Sequence, residues 1–83
     1  MEKKYQKINL GCGKKIRKGY LNLDFVKAEG VDVVHDLNQY PWPFQDDTFD
    51  EIYASHLLEH ILDFRKAMEE TRRICKNKAK VTI

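Results

Sequence analysis

Short apolar runs separated by polar and glycine positions predict five strands and one long helix. Lys7-Ile8-Asn9-Leu10 runs directly into Gly11-Cys12-Gly13. Tyr20-Leu21-Asn22-Leu23-Asp24 alternates, with Leu21 and Leu23 on one face. Val31-Asp32-Val33-Val34 is rich in β-branched residues, Phe49 to Ala54 holds Ile52-Tyr53-Ala54, and Lys80 to Ile83 holds Val81 and Ile83. Length, alternation and β-branched content make each a strand.

The helix is predicted over Asp63 to Lys76. Asp63 suits the N-cap, because its carboxylate can accept amide hydrogens of the first turn. Phe64, Ala67, Met68, Thr71, Ile74 and Cys75 fall at i, i+3, i+4 spacing and form the expected buried stripe. Arg72, Arg73 and Lys76 suit the negative end of the helix dipole. Asn77 suits the left-handed position after it. A shorter helix is predicted from Ser55 as N-cap through His56 to Ile61. Pro41 and Pro43 lack ladder hydrogens, so Gln39 to Gln45 is a loop.

Strand, glycine turn, strand, strand and strand–helix–strand is the pattern of an α/β layer with a parallel sheet. Residues 25–30 are too few for a helical crossover, since six extended residues reach at most ~20 Å. A bare loop is expected there. Lys14 to Lys18 allows little more than one turn.

Composition narrows the class. The chain has 83 residues, 42% hydrophobic and 34% charged, which argues against disorder and fits one small domain over 1–83. No run approaches the ~18 apolar residues of a membrane helix. The N-terminus has no apolar h-region of a signal peptide. Cys12 and Cys75 are too far apart for a metal-binding pair, and a reduced, cytoplasmic chain is expected. Residues 1–18 carry a balance of +6 and residues 19–83 one of −4. The lysines flank an apolar segment and a glycine turn, so a solvated surface is favoured over a nucleic-acid arm.

Three features meet at the carboxyl edge of such a sheet, where open α/β sheets bind ligands. Gly11-Cys12-Gly13 is either an ordinary tight turn or a turn that lets backbone approach a ligand. Asp24 either marks a strand end or accepts two hydrogen bonds from a ribose diol. It follows Gly13 too closely for a standard NAD unit, whose acid comes ~20 residues on. His35-Asp36-Leu37 closes the third strand. His56-Leu57-Leu58-Glu59-His60 matches H-x-x-E-H, but no third ligand on a second helix follows, so no metal is expected. No Cys–His spacing marks Cys12 as a nucleophile, and it reads as a small residue in a tight turn.

Together these residues resemble the class I S-adenosylmethionine-dependent methyltransferases, in the flavour of small bacterial and phage proteins with an LNLGCG start. Ile8 to Gly13 supplies that start. VDVVHDLNQYPWPFQDDTFDEIYASHLLEH, Val31 to His60, is similar to the family's acid, LPF-like loop, D-x-x-FD strand and LEH helix start. FRKAMEETRRICKN is similar to its L-x-E-x-x-R-x-L-K helix. The resemblance implies a truncated Rossmann-like α/β sheet of about five mainly parallel strands. It implies S-adenosylmethionine as cofactor. Asn9, Gly11, Cys12 and Gly13 would hold its methionine part, Asp24 the ribose, and Asp36 and Leu37 the adenine. Ser55 and His56 would lie by the methionine end or the substrate mouth. No catalytic base is named.

The chain departs from the family at Lys15, where a third glycine is usual, and at Lys76-Asn77-Lys78-Ala79, where KPGG is usual. It also stops after the fifth strand, where the family's sheet continues. An edge at Val81 to Ile83 is therefore expected, pairing in a homodimer or with a partner chain. The other readings are a non-catalytic remnant serving as a binding or assembly module, and a nucleic-acid-binding protein using the basic N-terminal region.

Overall fold

A computed structural model of the chain describes residues 6–13, 15–54 and 61–83. Five strands form one parallel sheet: β1 (Lys7–Leu10), β2 (Leu21–Asp24), β3 (Val33–Val34), β4 (Phe49–Tyr53) and β5 (Cys75–Thr82). Their order is β3-β2-β1-β4-β5. One helix among the described residues, α1 (Phe64–Ile74), joins β4 to β5. This is the predicted parallel α/β sheet.

Register explains the core. Ile8 lies opposite Leu21 and Ile52, and Leu10 opposite Leu23, so these side chains share one face. Ile8, Leu10, Leu23 and Ile52 are fully buried there. Ala67, Thr71 and Ile74 of α1 are buried, as the helical spacing requires. Ala67 and Ile74 join that core. Residues 25–30 form a bare loop, as expected, and Asp32 then returns beside β2 through its amide to the Asn22 carbonyl at 2.7 Å.

Trp42 was not expected in the core. It is 1% exposed, although it sits between two prolines in a loop. Its indole Nε1 donates to the Leu37 carbonyl at 3.0 Å, so burial leaves no donor unpaired. α1 grips the Trp42 backbone from the other side. Glu70 accepts the Trp42 amide at 2.7 Å, and Arg73 donates to the Trp42 carbonyl at 3.1 Å. Arg73 also donates to the Phe44 carbonyl and to Asp46.

Several boundaries differ from the sequence expectation. Asp63 caps α1 as predicted, accepting from the Lys66 amide at 3.1 Å. The helix ends at Ile74, not Lys76, because Cys75 is already extended and pairs with Phe49 of β4. Phe64 is 55% exposed rather than buried, since it stands in the first turn, which the core does not cover. Lys78, not Asn77, takes the left-handed conformation, with φ 68°. Glu51 then pairs with Lys80, so residues 76–79 loop out of the ladder. The regular pairing over Lys80 to Thr82 matches the expected fifth strand. β3 is shorter than expected, because Val31 is held in a turn by its amide bond to the Ala28 carbonyl. The helix expected from Ser55 lies outside the described residues. No helix among the described residues is long and apolar enough to cross a membrane.

Candidate functional site

Because all five strands run parallel, their carboxyl ends gather at one edge. β1 delivers Gly11 to Gly13 there, β2 delivers Asp24, and β3 delivers His35 and Asp36. The topology therefore brings the three predicted features together on adjacent strands.

The glycine turn needs its glycines. Gly11 has φ 65° and Gly13 has φ 55°, a region that side chains disfavour. A Cβ built on Gly13 would meet nothing within 4 Å, so that side of the turn is open to a ligand. The Cys12 amide is not free. It donates to the Leu23 carbonyl at 3.0 Å and extends the ladder to β2. The Cys12 side chain is buried. Burial pushes its thiol above the ordinary value, and the nearby Asp24 charge pushes it further. Both effects disfavour the thiolate that nucleophilic attack requires.

Asp24 is half-buried at the end of β2. Its carbonyl accepts the His35 amide at 2.9 Å, which ties β2 to the segment after β3. No hydrogen bond or ion pair joins its carboxylate to another described residue. Among the described residues, neither of its side-chain oxygens has a partner. Asp36 is exposed, and one oxygen accepts the Asn38 amide at 2.9 Å. Leu37 is buried in the core beneath Trp42 rather than presented at the edge. His35 donates from Nε2 to the Gln39 carbonyl at 3.0 Å, closing the same loop. Ser55, His56 and the H-x-x-E-H run lie outside the described residues.

Asn9 faces away from the apolar core. It is 1% exposed, and its Nδ2 donates to Asn22 Oδ1 and to the Lys15 carbonyl, both at 2.9 Å. Asn22 is the residue that sequence reasoning missed. Its Oδ1 also accepts the Arg17 amide, and its Nδ2 donates to the Arg17 and Tyr20 carbonyls. Its backbone is held at both ends by Asp32. Asn9 and Asn22 thus pin the segment after the glycine turn across the second sheet face. Arg17 then lies between two rings, 3.9 Å from the Tyr53 centroid and 4.8 Å from that of Tyr20. Tyr20 donates to Glu51. A signal existed for the asparagines: each sits between apolar residues in a strand, and both faces of parallel sheets are covered.

An open parallel sheet with a glycine turn after β1 and an acid at the end of β2 is the architecture of a Rossmann-like α/β protein. A family model described as a methyltransferase domain matches residues 12–83, and the chain belongs to that family. The chain is also 46% identical over 41 residues to the uncharacterized protein MJ0638 of Methanocaldococcus jannaschii. That match takes in 49% of this chain and 18% of the relative's length. No solved structure matches the chain.

Proposed function

We propose that the chain binds S-adenosylmethionine at the carboxyl edge of its sheet and takes part in methyl transfer. The observation that carries this reading is the open Gly11–Gly13 turn beside the Asp24 carboxylate on the adjacent strand, which has no partner among the described residues. The residues present suit the cofactor. A carboxylate with two free oxygens suits a ribose diol. A turn with no side chain at Gly13 suits close approach of the methionine part. Phe25, 63% exposed directly after Asp24, offers an apolar surface beside the ribose acid. Asp36 and the loop it caps close the adenine side.

The cofactor supplies a methyl group already activated on a sulfonium. The chain's own residues bind, orient and exclude water. Asp24 would hold the ribose, and the Gly11–Gly13 turn would hold the methionine part. Asn9 and Asn22 act as positioning residues, holding the return segment so that the turn keeps its shape. Calorimetry with S-adenosylmethionine and S-adenosylhomocysteine tests the reading. Saturable binding that weakens in Asp24→Ala supports it, and no binding by folded protein sinks it.

A further inference from the structure

The segment that closes the adenine side of the site is held from behind by α1. Asp36 opens a turn there, in which its carbonyl accepts the Gln39 amide at 2.8 Å. The peptide unit between Leu37 and Asn38 is fixed at both ends. Its N–H donates to Asp36 Oδ1 at 2.9 Å, and its carbonyl accepts from Trp42 Nε1 at 3.0 Å. The Asp36 carboxylate and the Trp42 indole thus grip one peptide plane. A movement of the indole turns that plane, and the carboxylate with it.

The indole does not move alone. Trp42 is buried, and Tyr40 stacks on it with ring centroids 6.2 Å apart. Its backbone amide and carbonyl are held by Glu70 and Arg73. Every N–H of the Arg73 guanidinium is engaged in this clamp. Two donate to Glu70, and one each to the Trp42 carbonyl, the Phe44 carbonyl and Asp46. The Asn38 side chain ties the same turn to the entry of α1, accepting the Leu62 amide at 2.9 Å. A line of contacts therefore starts on a helix remote from the glycine turn and ends on Asp36, which is exposed at the carboxyl edge.

We propose that Trp42, held by Glu70 and Arg73, is a positioning residue for the base of the cofactor. It sets the Leu37–Asn38 peptide, and so the direction in which the Asp36 carboxylate meets the exocyclic amine of adenine. The inference rests on the cofactor reading above. Glu70 and Arg73 act through Trp42 and touch no ligand.

The test compares S-adenosylhomocysteine with S-inosylhomocysteine, whose base carries an oxygen in place of the exocyclic amine, by calorimetry on the full chain. The unaltered chain should prefer the adenine compound. Trp42→Phe keeps an apolar ring but removes the N–H that holds the Leu37 carbonyl. Its preference should fall roughly fivefold or more. Arg73→Lys, which keeps the charge but not the planar fork, should show part of the same fall. Ile74→Val, a core change in α1 outside the clamp, should lower stability and leave the preference as it was. A merely structural role would weaken both compounds equally, so the ratio separates the two roles. Circular dichroism checks each fold, and Arg73→Lys carries the test if Trp42→Phe is unfolded. Two results overturn the positioning role alone: binding that depends on Asp24 but shows no preference for adenine, or a preference that survives in the folded clamp variants. Folded, unaltered chain that binds neither compound overturns the cofactor reading, and this inference with it.

Discussion

Asn9 and Asn22 stand side by side on adjacent strands, joined by a 2.9 Å bond from Asn9 Nδ2 to Asn22 Oδ1. Asn22 has a partner for its backbone amide, its backbone carbonyl and both ends of its side chain. The pair is the hub that ties β1, β2 and the segment after the glycine turn.

Asn22→Leu should therefore be strongly destabilising. It fills similar space but strands the Arg17 amide, an Asn9 hydrogen and two carbonyls. A buried polar group without a partner costs about 1–3 kcal/mol, so a total loss of about 3 kcal/mol is expected in urea unfolding. A loss below ~1 kcal/mol would mean that the return segment is held by other contacts.

Arg73 and Glu70 should report on Trp42. Arg73→Ala removes bonds to Glu70, Asp46 and two loop carbonyls, and about 1–3 kcal/mol of stability should go with them. Arg73→Lys should recover only part, because it lacks the planar fork. Trp42 fluorescence should shift to the red in Arg73→Ala before global unfolding. An unchanged spectrum would show that the loop does not need the clamp.

The same pair sets an acid limb. The Arg73 hydrogen bond holds the Glu70 carboxyl below its ordinary value, against the opposing effect of burial. The Trp42 amide and the Arg73 charge add to the lowering. The folded value is thus below the unfolded one. The contribution is complete above the unfolded value near 4.5 and is lost as pH falls through the folded value. Denaturation midpoints measured down this range should fall less steeply in Glu70→Gln. Identical slopes would contradict the assignment.

Two glycines should respond differently to alanine. Gly30 has φ 88°, and a Cβ there would come within 2.7 Å of Ile16 Cγ1. Gly30→Ala should cost about 1–3 kcal/mol through strain and clash. Gly13→Ala also meets a positive φ but has open space around it. Its stability loss should be the smaller, and its loss of cofactor affinity the larger. Equal effects on both readouts would remove the case for a ligand beside Gly13.

Much of the sheet was legible because its strands are short apolar runs ended by glycine or acid. β1 reads directly from Lys7 to Leu10, and the bare crossover follows from chain length. The carboxyl-edge placement of Gly11, Gly13, Asp24 and Asp36 follows from parallel strands. Tertiary pairing was not legible. Asn9 reads as a ligand residue because it precedes the glycines, yet its Nδ2 is engaged by partners 6 and 13 residues away. Pro41 and Pro43 mark a loop correctly, but they do not reveal that Arg73 and Glu70 draw Trp42 into the core. The i, i+4 pattern and the basic last turn extend the predicted helix to Lys76, whereas pairing of Cys75 with Phe49 ends it at Ile74.

The most direct measurement is calorimetric titration of the chain with S-adenosylmethionine, beside Asp24→Asn of the same fold. Asn keeps the size of the side chain but removes its charge and one acceptor oxygen. Saturable binding by the chain and a roughly tenfold or greater loss in Asp24→Asn are predicted, the size of about 1.4 kcal/mol. Folded chain that gives no binding heat at any temperature tested, or equal affinity in Asp24→Asn, would contradict the placement of the cofactor at this edge.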